Sequence, residues 1–293
     1  MKIRALAALA LAFSFFPLFA CGRKNSSYAS DETPPFESTF DSESAENEAD
    51  TSTSENASSS NDSSVSTPEP PNSSSPPSTP IQKTASYVRC TADSVNIRSG
   101  AGTSFSALGS AEKGTVYAVT EKTGNWYKTY YRGKTAYIYA SYFSAFTLQK
   151  SSDSDVEDVI AEGYKLIGTP YVYGAIRFHD GKGKLLKGFS TNKFDCSSLI
   201  QYIFYKGAGE LLQVNTRTQV TQGKFVPKSE LKRGDCIYFT NAEREHKTGV
   251  ERIGHVALYL GNDYILHTAS DYARIEKMTA KRWSYYVEAR RFL

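Results

Sequence analysis

The sequence predicts an α+β chain: a small all-β barrel followed by a domain in which a helix packs on an antiparallel sheet. Between Ser94 and Tyr139, short apolar alternations are separated by Gly or Asn at intervals of about ten residues, the signature of short strands that turn back on one another. Downstream, Val156, Val159, Ile160, Gly163 and Ile167 recur at helical spacing. Further on, Cys236–Phe239, Gly254–Leu260 and Tyr264–Ala269 read as three strands, with Arg233-Gly234-Asp235 a turn before the first and Gly261-Asn262-Asp263 a turn before the third. The 293 residues, 40% of them hydrophobic, suffice for two modest cores.

Lys2 and Arg4 precede an apolar run from Ala5 to Ala20 broken by Ser14 and Pro17. This is the layout of an export signal, and it is short for a membrane span. Leu18-Phe19-Ala20-Cys21 resembles the lipobox of bacterial lipoproteins, with Phe19 where that family usually has a small residue. The resemblance implies that residues 1–20 are removed, that Cys21 is acylated, and that the exported chain is lipid-anchored to a bacterial membrane. Residues 21–84 are crowded with Ser, Thr, Pro, Asn, Asp and Glu, a composition that predicts a disordered tether spanning roughly 40 to 50 Å.

Residues 22–84 carry three Lys/Arg and eleven Asp/Glu, a net of 3 − 11 = −8. Residues 85–293 carry twenty-nine and twenty, a net of 29 − 20 = +9. The basic body suits an anionic partner, and equally an ordinary Lys-rich surface. Export argues against nucleic acid.

Within residues 85–147, the barrel, the run Val95-Asn96-Ile97-Arg98-Ser99-Gly100-Ala101-Gly102-Thr103-Ser104, the strand Gly124-Asn125-Trp126-Tyr127-Lys128 and the ending Lys134-Thr135-Ala136-Tyr137-Ile138 resemble the bacterial SH3-like domain. That family accompanies wall hydrolases, and it either binds wall peptides or forms one side of the neighbouring active site. Tyr127, Tyr130, Tyr131, Tyr137 and Tyr139 are candidates for an exposed face and for the core alike.

Residues 152–293 open with Ser154-Asp155-Val156-Glu157, a capping-box pattern ahead of the first helix. After Thr169-Pro170-Tyr171-Val172-Tyr173-Gly174 and a Gly- and Lys-rich loop to about Lys193, Asp195 is a natural N-cap for an apolar helix ending near Gly207. Cys196 then lies in the first turn, at the positive end of the helix dipole, where a thiolate is favoured. A buried helical cysteine beside a capping aspartate fits the local pattern as well. Cys90 and Cys236 sit in apolar alternations and read as buried small hydrophobes. About a turn centred near Asn262, His255 and His267 have an even separation that lets both face one side of a hairpin. Their presence with Cys196 favours a nucleophile and its base. His179 and His246 fall in loops, where solvent exposure is expected.

Thr169–Gly174, Phe194-Asp195-Cys196-Ser197, Arg233-Gly234-Asp235, Gly254-His255-Val256 and His267-Thr268-Ala269 follow the order and spacing of the NlpC family of bacterial cell-wall cysteine peptidases. The resemblance implies a papain-like fold and cleavage of peptidoglycan stem peptides at the bond from a D-γ-glutamyl residue to a diamino acid. By position it implies Cys196 as nucleophile, His255 as general base, His267 as its orienting partner and Tyr171 as an oxyanion donor. Asp195 and Ser197 match contacts to the free amino end of the stem. Tyr173, Ala175 and Ser198 depart from the family pattern, and Ile176–Asn192 and Asn241–Glu251 are additional, so Ser198 and the two insertions are expected to reshape the groove. The competing readings are a non-catalytic wall-binding module and a metal site from Cys196, His255 and His267. The latter lacks the close ligand pairs of structural zinc sites, and no cofactor is expected.

Overall fold

The computed structural model describes residues 83–293. The export signal, Cys21 and the tether up to residue 82 lie outside the described residues. The first eight strands are β1 (Thr84–Cys90), β2 (Ser94–Arg98), β3 (Ala107–Glu112), β4 (Val116–Ala118), β5 (Glu121–Thr123), β6 (Trp126–Tyr131), β7 (Lys134–Tyr139) and β8 (Phe143–Gln149). The alternation of buried Val95 and Ile97, and of Ala136 and Ile138, gives this part its core. Then follow α1 (Ser154–Lys165), α2 (Cys196–Ala208), α3 (Thr216–Gln219), β9 (Lys224–Val226), β10 (Cys236–Phe239), β11 (His255–Gly261), β12 (Tyr264–Ala269), β13 (Tyr272–Lys277), α4 (Ala280–Ser284) and β14 (Tyr286–Arg291).

The strands form two sheets, one of nine strands in the order β8-β1-β4-β13-β12-β11-β10-β14-β9 and one of five in the order β3-β2-β7-β6-β5. The larger sheet runs through both parts of the chain, because β4 of the barrel pairs with β13 at Val116 and Ile275. The turn between β6 and β7 adds a second joint. Its left-handed residues Arg132 and Gly133 donate their amides to the carbonyls of Ile167 and Lys165, satisfying acceptors at the end of α1. Tyr131, an exposed-face candidate by sequence, is buried at this joint and covers Gly168 so closely that a side chain there would overlap its ring.

Two expected helix boundaries move. The N-cap of α1 is Asp153, whose Oδ1 accepts from the Asp155 amide at 2.9 Å, one residue ahead of the Ser154 box. Glu157, the box's acidic member, is instead held by Arg233 through Nε–Oε1 at 2.5 Å and Nη2–Oε2 at 3.0 Å. The same Oε1 also accepts from the Ser151 amide at 2.9 Å, so the carboxylate serves an upstream amide and a buried guanidinium rather than the expected box. Helix α2 continues through Gly207 and ends at Gly209 in the left-handed region. Gly207 is kept small because its position meets the backbone of Val159 on α1.

Candidate active site

Cys196 is the first residue of α2, and the cap before it is reciprocal. Asp195 Oδ1 accepts from the Ser198 amide at 2.8 Å, and Ser198 Oγ accepts from the Asp195 amide at 2.9 Å. Ser198 is fully buried in this box, so the side chain expected to reshape the groove instead fixes where the helix starts. Cys196 itself is 6% exposed. Burial raises the pKa of the Cys90 and Cys236 thiols, which makes them poor nucleophiles.

The chain path brings Cys196, Tyr171 and His255 to one end of the sheet. Gly207 lies on Val159, and Gly163 lies against Ile203 and Leu266, so α2 runs antiparallel to α1 and its tip comes to the end of α1. The strip that follows α1 is stitched on both sides. Gly168 donates to the Ala273 carbonyl and Tyr171 to that of Asp271, both at 2.8 Å, while Phe194 donates to Pro170 at 3.1 Å and Val172 to Phe194 at 2.9 Å. Tyr171 is thereby held between the residues before Cys196 and the start of β13. That start pairs with the end of β12 at Ala269 and Tyr272, and β11, antiparallel to β12, begins there with His255.

A one-residue irregularity decides which way His255 points. Gly261 pairs with Tyr264 across the Asn262-Asp263 turn, but Tyr259 pairs with Ile265 and Leu258 with Leu266, a register shift caused by a β-bulge. Without the shift, an even separation across a two-residue turn would put the two histidines on opposite faces. With it, His267 lies opposite Ala257 and shares a face with His255. Gly261 sits in the bulge at φ +95, a conformation that glycine adopts at little cost. The two imidazoles meet, with His255 Nε2 2.9 Å from His267 Nδ1.

Protonation along this chain is set from its far end. Glu276, on β13, accepts from Arg282 Nη2 at 2.7 Å, and its Oε1 lies 3.3 Å from His267 Nε2, a polar contact outside good hydrogen-bond geometry. Although burial opposes its charge, His267 and the guanidinium groups of Arg282 and Arg274 hold the Glu276 carboxyl well below the usual range. An ionised carboxylate accepts only, so His267 carries its proton on Nε2 and accepts at Nδ1. His255 Nε2 must then donate, which leaves His255 Nδ1 with a lone pair. Burial, reinforced by His267 and Arg282, pushes the His255 pKa far below its ordinary value. Burial lowers that of His267 as well, with Glu276 pulling the other way. Both rings are neutral at pH 7.

Sequence patterning gave no sign of Arg177, which stands in the first insertion. Its Nη1 lies 2.8 Å from Asp195 Oδ2 and its Nη2 donates to Ser197 Oγ at 3.2 Å, so Asp195 and Ser197 come together with a cation already beside them. Glu276 could have been read from the sequence: Tyr272, Arg274 and Glu276 alternate on the strand after a short turn from His267, in phase with it. His179 corrects the expectation of exposure. It is fully buried, its Nδ1 accepts from the Gly181 amide at 3.0 Å, and Gln201 bridges its backbone to α2. Phe178 and Phe189 pack with Tyr202 of α2 in an aromatic cluster that pins this insertion down. His246 is exposed.

A helix tipped with cysteine, packed on an antiparallel sheet that carries paired histidines, defines the papain-like α+β class. Residues 168–291 match the NlpC/P60 family, and residues 93–144 match the bacterial SH3 domain. Gamma-DL-glutamyl hydrolase of Bacillus subtilis (strain 168) is 30% identical over 151 residues, covering 51% of this chain and 32% of that protein. Peptidoglycan DL-endopeptidase CwlO of Bacillus licheniformis is 29% identical over 144 residues, covering 48% and 28%. Gamma-D-glutamyl-L-lysine dipeptidyl-peptidase of Bacillus subtilis (strain 168) is 32% identical over 132 residues, covering 45% and 38%. The chain thus spans about a third of the length of these relatives.

Proposed function

We propose that this protein is a cysteine endopeptidase that hydrolyses peptidoglycan stem peptides, at the bond from a D-γ-glutamyl residue to a diamino acid. The supporting observation is the His255–His267 pair, whose protonation leaves His255 Nδ1 as a base at the end of the sheet where Cys196 tips its helix. In this reading Nδ1 takes the Sγ proton and the thiolate attacks the scissile carbonyl carbon. The oxyanion is met by the Cys196 amide and the Tyr171 hydroxyl, and a single such donor is worth about 3 kcal/mol. His255, now cationic and steadied by His267 and Glu276, returns the proton to the leaving amine. Water then hydrolyses the thioester, with His255 again as base. The relatives named for glutamyl bonds and wall endopeptidase activity support the bond and the substrate.

The test is release of new amino groups from stem peptides by the purified chain, followed by mass spectrometry. Cys196→Ala is expected to abolish release and His255→Ala to lower it by a factor of at least 10³, while full activity in Cys196→Ala overturns the reading. Export and anchoring through an acylated Cys21 complete the proposal, on the strength of the signal-like run and lipobox-like segment. Radiolabelled palmitate should enter the wild type and not Cys21→Ala, and equal labelling would refute the anchor.

A further inference from the structure

The lysine-rich insertion ahead of the nucleophile has no part in the chemistry above, yet it holds much of the body's charge. Between Tyr171 and Phe194 stand Arg177, Lys182, Lys184, Lys187 and Lys193 against a single acid, Asp180, a net of 5 − 1 = +4. Arg177 is committed to Asp195. The four lysines are exposed, and among the described residues no ion pair engages any of them. Asp180 turns to the insertion's own backbone, its Oδ1 accepting from the Lys182 amide at 2.8 Å and the Lys184 amide at 3.2 Å. Counted against the lysines, it still leaves 4 − 1 = +3.

This charge stands on a fixed platform beside the nucleophile. The Asp180 amide donates to the Lys184 carbonyl at 3.0 Å and the Leu186 amide to that of Phe178 at 3.1 Å, closing a small hairpin. Gln201 of α2 grips its base, Nε2 donating to the carbonyl of the fully buried His179 at 3.2 Å. At its root Arg177 meets Asp195 and Ser197, on either side of Cys196. A glutamyl residue linked through its γ-carboxyl keeps its α-carboxyl free, so a wall made of such stems is a polyanion at the very bonds to be cut. We propose that the lysine hairpin docks on carboxylates of neighbouring stems in polymeric peptidoglycan while one stem occupies the groove. The inference rests on the stem-peptidase reading and adds to it a preference for polymer over free peptide. Leu185, Ile176 and Leu211 are also exposed on or beside the hairpin, which makes a lipid surface the rival partner. A bilayer on this face would cover the groove at Cys196, whereas the wall brings its anions there together with the scissile bond.

The test is sedimentation with purified peptidoglycan sacculi. The full-length protein carries Cys21→Ala, which removes the proposed anchor, and Cys196→Ala, which keeps the wall uncut. Adding Lys182→Gln, Lys184→Gln and Lys187→Gln should weaken binding about fivefold or more at low salt, the combined effect of three exposed charge contacts. The difference between the two proteins should vanish at about 500 mM salt, and also on sacculi whose carboxyls have been converted to amides. With Cys196 restored, the triple change should leave kcat/KM on a soluble single stem peptide within about twofold while lowering release from sacculi. Equal sedimentation of the two proteins at low salt overturns the inference, as does a difference that survives amidation. A lysine-dependent difference on vesicles of about one-third anionic lipid, with none on sacculi, assigns the surface to lipid and overturns it too. Should the triple variant fail to fold, unchanged sedimentation of its parent on amidated sacculi overturns the inference by itself. No turnover of the soluble peptide with Cys196 intact removes the peptidase reading, and sedimentation still decides whether the lysines hold wall carboxylates.

Discussion

Glu276 lies two side chains away from His255, yet it fixes which nitrogen of each imidazole carries a proton. Because it raises the proton affinity of both rings, Glu276→Gln should lower kcat by about tenfold with little change in KM, a loss typical of an interaction that strengthens as charge develops. The acid limb of the kcat–pH profile should move to lower pH at the same time. An unchanged profile would show that the carboxylate does not speak to His255. Stability carries the same signature. Both folded imidazoles bind protons more weakly than an unfolded histidine, whose pKa is about 6.5, so the unfolded chain takes up more protons and stability falls as pH drops below that value. Urea unfolding at pH 7 and pH 5.5 should give a smaller difference for His267→Gln than for the wild type. The cysteine and both histidines were legible because each stands at a patterned position: beside a cap, or in phase on a strand. Arg177 was not, since a cation reaching back from an insertion obeys no local period.

At the scale of elements, the bulge in β11 is the least legible feature and one of the most consequential. Even separation of the histidines across a turn centred on one residue predicts a shared face. The turn has two residues, so the result is rescued only by a register shift that no short-range pattern announces. Gly261 has open space around its α-carbon, so Gly261→Ala tests the backbone alone and should cost about 1–3 kcal/mol, read from the denaturation midpoint. Gly207→Ala tests the opposite case, an ordinary helical conformation with no room. There the new methyl must push α1 from α2, at a cost of about 1–3 kcal/mol, and displacement of the helix tip should lower activity beyond what stability explains. Helices α1 and α2, the cap at Asp195 and the runs that form β2, β4, β6, β7, β10, β11 and β12 were legible from periodicity and turn chemistry. The N-cap of α1 was missed because Glu157 answers to a distant arginine, a tertiary demand invisible in a local window.

Across the whole molecule, Arg233 ties the barrel to the helices and the sheet. It donates to Tyr87 of β1, to Tyr164 of α1 and to the Leu260 carbonyl of β11, each at 3.0 Å, besides gripping Glu157. Arg233→Leu leaves those acceptors buried without their donor and should cost about 3 kcal/mol or more, with calorimetry showing one cooperative transition in the wild type. Sequence pattern gave each part its class but not this union, because pairing between β4 and β13 depends on strands far apart in the chain. The joint has a consequence for anyone who would treat the SH3-like part as exchangeable. Cut away, it would leave a raw strand margin at β13 and bare carbonyls at the tail of α1, inviting another copy to dock there. A substitute module would have to bring its own selvedge to sew onto that margin, so recombination that respects only the linker should yield chains that clump.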